Sequence, residues 1–451
     1  MTRTRLLVFP RVIIQDFFYP LFFLYCVTLH ADQLGFSLLN FKIRLNNLVA
    51  LLLLVYLLSR YRNKFIFVDR SLICSVGLLF ASMFFSFLLS PYKTRCFFFF
   101  GLFGLTTLCY VFLPYWLVLR FDADKLMKMY LASFLIVGSY ALCQLLLCLV
   151  GIHDPFVQQW ISGTLYRPNA FAYEPSFYAL YFTPLVVIVN LHYVLNNKNF
   201  PWMAFPLKRR HVLFVNALFL VSTSTSCYFA YATFALILGI LSLIPSIRRS
   251  FPTLVKGGTK FVGGIFLFSL FLSVVFRKVM SLFFLKFFFA GFSHHSVVER
   301  WSGIINGINL FLTHPFFGIG MGGYPSFMMN AYLNERTDYI FIYQEKLLPF
   351  AANPIKLFEP SNIFTEVLAS LGVFGLIALT GFIVSLVSKG IKAIKQNHTQ
   401  KETLFVLLVS VLVLAIVLQI NQGLFRTYVW AHYAFVYGYC TKKLFRQAPA
   451  Q

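Results

Sequence analysis

Acidic side chains are scarce in this sequence. Fourteen Asp and Glu stand against 38 Lys and Arg, and charged residues of both signs fill only 12% of 451 positions. A soluble domain carries about 25%, so an ordinary water-exposed surface is excluded. Metal-binding spacings are also missing: there is no CxxC pair and no HExxH. The eight cysteines, among them Cys26, Cys74, Cys109, Cys143 and Cys148, lie almost all inside apolar runs and read as small apolar fillers. Period-two alternation over about 10 residues, the mark of a membrane β-strand, is absent too.

What fills the chain is continuous apolar sequence. Hydrophobic residues make up 59% of it, and the mean hydropathy is +0.77. The runs are about 17–25 residues long, enough to cross a bilayer core. The pattern predicts an all-α polytopic membrane protein. About 12 spans are expected, roughly at 12–30, 45–59, 71–90, 96–119, 129–152, 174–195, 211–225, 228–246, 261–276, 362–387, 403–420 and 425–441. The start, MTRTRLLVFPRVIIQDFFYPLFFLYCV, is basic and then apolar with no small-residue cleavage site, and reads as an uncleaved first span.

The formal net charge of +24 sorts onto one side of these spans. With the N-terminus inside, the inner segments collect Arg60, Arg62 and Lys64, then Lys208, Arg209 and Arg210, then Lys389, Lys392 and Lys395, among others. The positive-inside rule then puts both termini in the cytoplasm. It also accounts for the basic balance, so no nucleic-acid partner is expected. Asp154, Glu174, Glu299, Glu335, Asp338, Glu345, Glu359 and Glu366 fall on the outer side.

Three parts follow. Residues 1–276 form an N-terminal membrane bundle of about nine spans, 277–361 a large outer loop, and 362–451 a C-terminal set of about three spans. Two outer segments hold the chemically varied residues. One is 152–178, with the motif RPNAFAYEPSFYALYF; the other is the large loop. Within that loop, 281–292 is too short to span and is expected at the membrane interface. Residues 296–313 have helical periodicity. Val297, Trp301, Ile304, Ile305, Ile308, Phe311 and Leu312 share one face; Glu299, Arg300, Ser302, Asn306 and Asn309 fall away from it. This helix is expected to lie on the membrane or pack on the bundle, and Pro315 to end it.

Several residue groups invite a chemical reading. Gly318–Gly323, GIGMGG, lacks the strand-then-helix setting of a nucleotide site and reads as a tight turn that lets backbones pass closely. Glu-Pro-Ser occurs at Glu174–Ser176 and again at Glu359–Ser361, each at the outer start of a span. Proline and a nearby acid suit a first helical turn, and Asn362 is a good cap. The same placement lets a carboxylate accept a proton from a sugar hydroxyl. Arg167, Arg300 and Arg426 lie on the side where the charge rule does not call for them, and guanidinium binds phosphate oxygens bidentately. Each also suits a head-group contact or an ion pair. His294, His295 and His314 have no metal spacing. Tyr324, Tyr339 and Tyr343 are of the type that stacks on sugar rings.

Together these segments resemble the O-antigen ligase and polymerase superfamily. VERWSGIINGINLFLTHPFFGIGMGGY is similar to its central signature, through Arg300, Trp301, Pro315, Gly318 and Gly320. PSNIFTEVLASLGVFGL is similar to its return into the membrane, through Asn362, Glu366, Gly372 and Gly375. RPNAFAYEPSFYALY resembles its upstream outer motif. The resemblance implies a GT-C-like, metal-independent, inverting glycosyltransferase without a cofactor, with its site on one large periplasmic loop. Donor and acceptor would be undecaprenyl-diphosphate-linked glycans, and a chain-length regulator protein is a candidate partner. The diphosphate-binding set is then Arg167, Arg300 and Arg426, with Ser361, Asn362 and Tyr178 beside the substrate. Glu174 is the first candidate for base or acceptor positioning and Glu359 the second. Two departures matter. Ser361 stands where ligases carry a histidine, which favours a polymerase in a bacterial inner membrane. STSTSCYF, Ser222–Phe229, lacks the arginine often found at the start of that helix. A ligase is the nearest alternative, and a transporter or flippase the alternative of another class.

Overall fold

The computed structural model describes residues 11–38, 41–61, 69–157, 160–162, 165–195, 202, 207–222, 224–254, 257–258, 263–264, 295–336, 338–339, 360–397, 399–421 and 423–445. In chain order these form α1 (Arg11–Thr28), a hairpin of β1 (Gly35–Leu38) and β2 (Phe41–Arg44), α2 (Leu45–Tyr61) and α3 (Arg70–Leu89). Next, α4 (Lys93–Thr107) runs through a π-helical turn at Leu108–Phe112 into α5 (Leu113–Arg120), followed by α6 (Ala123–Leu149). A second hairpin, β3 (Trp160–Ser162) with β4 (Leu165–Tyr166), precedes α7 (Pro175–Val194), α8 (Arg209–Leu220), α9 (Thr225–Leu243) and α10 (Pro245–Ser250). The large loop holds α11 (His295–Thr313) and α12 (Tyr324–Leu333). It is followed by α13 (Ile363–Gln396), α14 (Lys401–Val417) and α15 (Thr427–Phe445).

Helix starts are set by short polar side chains. Asp69 accepts the Ser71 N–H at α3, Asp122 those of Asp124 and Lys125 at α6, and Ser224 that of Ser226 at α9. Pro175 occupies the first turn of α7, where its missing N–H costs nothing. Among the described residues, seven helical stretches are long and apolar enough to cross a membrane: 70–89, 93–120, 123–149, 175–194, 225–243, 363–396 and 401–420. Phe17–Thr28 and Leu45–Arg60 are shorter apolar helices. Every expected span has a helix except the ninth, 261–276, which lies almost wholly outside the described residues, as does the expected interfacial piece 281–292. The chain is thus a polytopic helical membrane protein. The two hairpins are additions that the apolar pattern does not show.

The bundle centres on α7, which is buried along nearly its whole length and packs against α14. Helix α13 runs along α3, and α15 along α5. One end of the bundle is laced by hydrogen bonds. Thr427 at the start of α15 donates to the Leu29 carbonyl after α1 (3.0 Å). Asn362 at the start of α13 donates to the Gln419 carbonyl after α14 (2.8 Å), and Asn421 to Ser226 in α9 (3.2 Å). The opposite end is held by basic side chains: Lys389 pairs with Asp69, and Lys443 with Asp124 (3.5 Å).

The glycine turn behaves as its sequence predicts. Gly318, Gly320 and Gly322 all have positive φ. Helix α13 breaks at Gly372 (φ 65°, ψ −160°), and the turn fills the break. Ile319 N–H donates to the Ala369 carbonyl (3.1 Å), Gly320 N–H to the Ser370 carbonyl (3.0 Å), and Val373 N–H to the Pro315 carbonyl (2.8 Å). A broken helix in an apolar bundle needs its freed backbone groups paired by protein, and this loop does that.

Candidate functional site

The site lies at the laced end and is built from two halves. The first half is the connection between α6 and α7, assembled on one buried amide. Gln144 Oε1 accepts the N–H of Asn169 (3.2 Å) and Ala170 (2.8 Å); its Nε2 donates to the Ala170 carbonyl (3.1 Å) and to Asp154 (3.3 Å). Asp154 also accepts from Tyr140 (2.8 Å) and from the Phe156 N–H (2.8 Å). Gln33 ties this loop to the turn after α1, donating to the Phe156 (2.8 Å) and Ala172 (2.5 Å) carbonyls. Arg167 and Glu174 sit on either side of this core. Glu174 is exposed at the N-cap position of α7, yet its carboxylate takes no backbone N–H; it accepts the Ser176 hydroxyl (3.0 Å).

The second half is α11 laid against the start of α13. Its apolar face is not the face that packs. Ser302, Asn306, Gly307 and Leu310 are buried, while Trp301, Ile308 and Leu312 are exposed. The small face is what permits close approach. A Cβ on Gly303 would lie 3.5 Å from Pro360 Cα, and one on Gly307 would lie 3.3 Å from Thr365 Cβ. Arg300 is one turn before Gly303.

The two halves meet. Glu174 acts electrostatically on both Arg167 and Arg300, and Arg300 acts on Arg167. Burial pushes the Arg167 guanidinium below its ordinary pKa. Cys227 and then Glu174 oppose that shift, and Arg300 adds to it. Burial likewise lowers Arg300, opposed by Glu174. Among the described residues Arg300 has no ion pair. Arg167 lies within electrostatic range of Cys227 in the first turn of α9, where the resemblance leads one to look for an arginine.

Arg426 joins from the start of α15. Its guanidinium lies 3.4 Å from the centre of the Phe177 ring and 3.4 Å from Asp32 Oδ2. Asp32 Oδ1 is 2.6 Å from Arg44. Glu366 lies near Arg426 and is buried; its carboxylate takes the N–H groups of Gly423 and Leu424. Among the described residues its Oε2 has no hydrogen-bond partner. Arg44, Arg167, Arg300 and Arg426 thus share one end of the bundle with Asp32, Glu174 and Glu366.

The remaining expected residues divide. Asn362 is a cap: its oxygen accepts Phe364 N–H (2.9 Å) and Thr365 N–H (3.0 Å), and its amide holds Gln419. Ser361 is half-buried beside Gly303. Tyr178 is fully buried and its hydroxyl donates to the Leu218 carbonyl (2.8 Å), so it belongs to the core beneath the site. Tyr324 and Tyr339 are buried in the small core of the large loop with Leu310 and Met328. Glu359, His294 and Tyr343 lie outside the described residues. Asp32, Arg44 and Phe177 were not singled out from the sequence. A rare acid directly after the first span was the available signal for Asp32. Among the described residues no three His, Cys, Asp or Glu side chains gather as they would around a metal ion.

Residues 211–380 match the family model described as O-antigen ligase. No curated protein matches the chain. The matched segment holds Arg300, the glycine turn, Asn362, Glu366 and the break at Gly372, while Arg167, Glu174 and Arg426 lie outside it. Members of this family are glycosyltransferase-like enzymes acting on lipid-linked glycans. At residues 211–380 the chain carries a domain of the O-antigen ligase/polymerase superfamily.

Proposed function

We propose that this protein is a surface-polysaccharide polymerase of the O-antigen type. It joins undecaprenyl-diphosphate-linked oligosaccharide repeat units at the periplasmic face of a bacterial inner membrane, with both termini cytoplasmic and a GT-C-like arrangement of spans. The observation that carries this reading is the meeting of Glu174 with Arg167 and Arg300 from segments more than 100 residues apart.

Glycosyl transfer from a diphosphate builds negative charge on the leaving oxygens as the anomeric bond breaks. Guanidinium groups held in place before the reaction stabilise that charge best. Arg167 and Arg300 are assigned to the diphosphate, and Arg426 to its other edge. An exposed carboxylate between them is suited to take the proton from the attacking acceptor hydroxyl. Glu174 is assigned that role, with Glu359 second. Attack opposite the leaving diphosphate inverts the anomeric centre, and no metal or cofactor is invoked. A chain-length regulator is the proposed protein partner.

Ser361 in place of a histidine supports polymerase over ligase. The description of the matched family supports the second reading, transfer of glycan to lipid A-core or protein. A polysaccharide ladder from a deletion strain separates them: loss of a polymerase leaves one repeat unit on the acceptor, and loss of a ligase leaves none. Arg300→Ala is expected to abolish long chains while the protein still inserts. Normal chain lengths in that variant would sink the assignment.

A further inference from the structure

Asp32 stands apart from the residues assigned so far. It is 2% exposed, which is costly for a lone carboxylate. Two cations reach it, one per oxygen: Arg44 at 2.6 Å and Arg426 at 3.4 Å. The turn that carries it is fixed on both sides. Asp32 N–H donates to the His30 carbonyl (2.8 Å), and Gln33 N–H to the Phe171 carbonyl (3.0 Å) in the Arg167–Glu174 loop. Thr427, next to Arg426, donates to the Leu29 carbonyl of the same turn (3.0 Å). Asp32 is therefore a rigid point to which both Arg426 and the first half of the site are referred.

Arg426 has two other carboxylates to choose from. Glu366 lies within electrostatic range of it. Glu174 acts on Tyr428, on which Asp32, Arg44 and Arg426 also act. A closed pair with either would consume the positive charge. Asp32 instead holds the guanidinium over the Phe177 ring, and because it also holds Arg44, one carboxylate faces two cations. Neither cation therefore has this carboxylate to itself. Phe177 is three residues from Glu174, so the Arg426 guanidinium lies over the first turn of the helix that Glu174 begins.

We infer that Asp32 is a positioning residue that braces Arg426 over Phe177, keeping its guanidinium available to the diphosphate of a polyprenyl-linked substrate. This rests on the diphosphate-binding reading above. It adds that affinity depends on a carboxylate that never touches the anion.

The test is binding of undecaprenyl diphosphate to the purified full-length chain in lipid nanodiscs. Removing the brace costs one charge-assisted contact, so Asp32→Asn is expected to weaken binding about tenfold. Asp32→Glu, which keeps the charge, is expected to be intermediate. The deciding comparison is with Arg426→Ala: if Asp32 acts through Arg426, Asp32→Asn combined with Arg426→Ala binds no worse than Arg426→Ala alone. A merely structural role would make the two losses multiply, and that result overturns the inference. So does wild-type affinity in Asp32→Asn or, if that variant fails to insert, in Asp32→Glu. A wild-type chain that does not bind undecaprenyl diphosphate sinks the diphosphate reading itself, and this inference with it. Binding in the wild type that Asp32→Asn leaves unchanged sinks the inference alone.

Discussion

Gly372 breaks α13 where the Phe316 carbonyl crosses it. A Cβ on Gly372 would stand 2.3 Å from the carbonyl carbon and oxygen of Phe316, and one on Gly318 would stand 2.3 Å from the Ser370 carbonyl carbon. The backbone of Gly372 (φ 65°, ψ −160°) is in a region open almost only to glycine. Gly372→Ala therefore meets a conformational cost of about 1–3 kcal/mol and a collision with backbone that cannot step aside. It is expected to lower the melting temperature by several degrees or abolish recovery of the folded protein. Gly381 lies in the same helix with nothing within 4 Å of its Cβ position, and Gly381→Ala is expected to melt like the wild type. Gel filtration and a thermal melt in detergent check both. Equal melting temperatures for the two variants would refute the interlock.

Arg300 is a pH-testable position because burial disfavours its charge. Arginine starts high enough to stay protonated in spite of the shift; lysine starts from about 10.4 and shifts the same way. Arg300→Lys is expected to retain at most about a tenth of wild-type transfer at neutral pH, since an ammonium cannot grip a phosphate bidentately. The sign of its pH dependence follows. The active form is the charged one, so its residual activity falls as pH rises through the lowered lysine pKa, while the wild type is flat there. Initial rates from pH 6 to pH 9.5 with a lipid-linked glycan measure this. A parallel profile for the two proteins would show that the charge at Arg300 is not what the reaction needs.

Much of this architecture is written in the sequence, and the unwritten parts have identifiable causes. The membrane helices follow from apolar runs of bilayer length, and helix starts from Asp, Ser, Asn and Pro at the expected places. The glycine turn is legible because GIGMGG lacks the strand-then-helix setting of a nucleotide site, which leaves a tight turn as its use. Arg167, Arg300 and Arg426 stood out because the charge rule left them unexplained. That the Arg300 helix should meet the Arg167–Tyr178 segment is expected from the sequence, but the means was not legible: it depends on Gln144 and Gln33, both ordinary amides in a sequence, which hold the 152–174 connection. The face of α11 also could not be read from its periodicity. Apolar patterning marks one face, but in a lipid setting the face that packs on protein is the one with Gly303 and Gly307. Phe177 and Arg44 were hidden for other reasons. One is a phenylalanine among 57; the other is an outer-side arginine that the charge rule also leaves unexplained, and what sets it apart is its pairing with Asp32.

Gly303 connects packing to chemistry most directly. A Cβ there would lie 3.5 Å from Pro360 Cα and 3.7 Å from the Ser361 nitrogen, an ordinary contact with room for one methyl group and little more. Gly303→Ala is therefore expected to keep near-wild-type activity, helped by the better helix propensity of alanine. Gly303→Leu drives a branched side chain into Pro360 and has to push α11 off the start of α13. Ile308 and Leu312 on the far side are already exposed, and the fold is expected to survive with a small change in melting temperature. Arg300, one turn away, moves with the helix. Misplacing a charged group by about 1 Å costs on the order of 100-fold in rate, so Gly303→Leu is expected to lose about two orders of magnitude in kcat/KM while remaining folded. Matching the two variants for expression and melting, then comparing transfer rates, isolates the geometry from the stability. If the leucine variant is folded and as active as the alanine variant, the position of α11 does not set the reaction, and Arg300 acts from a less constrained place than its packing implies.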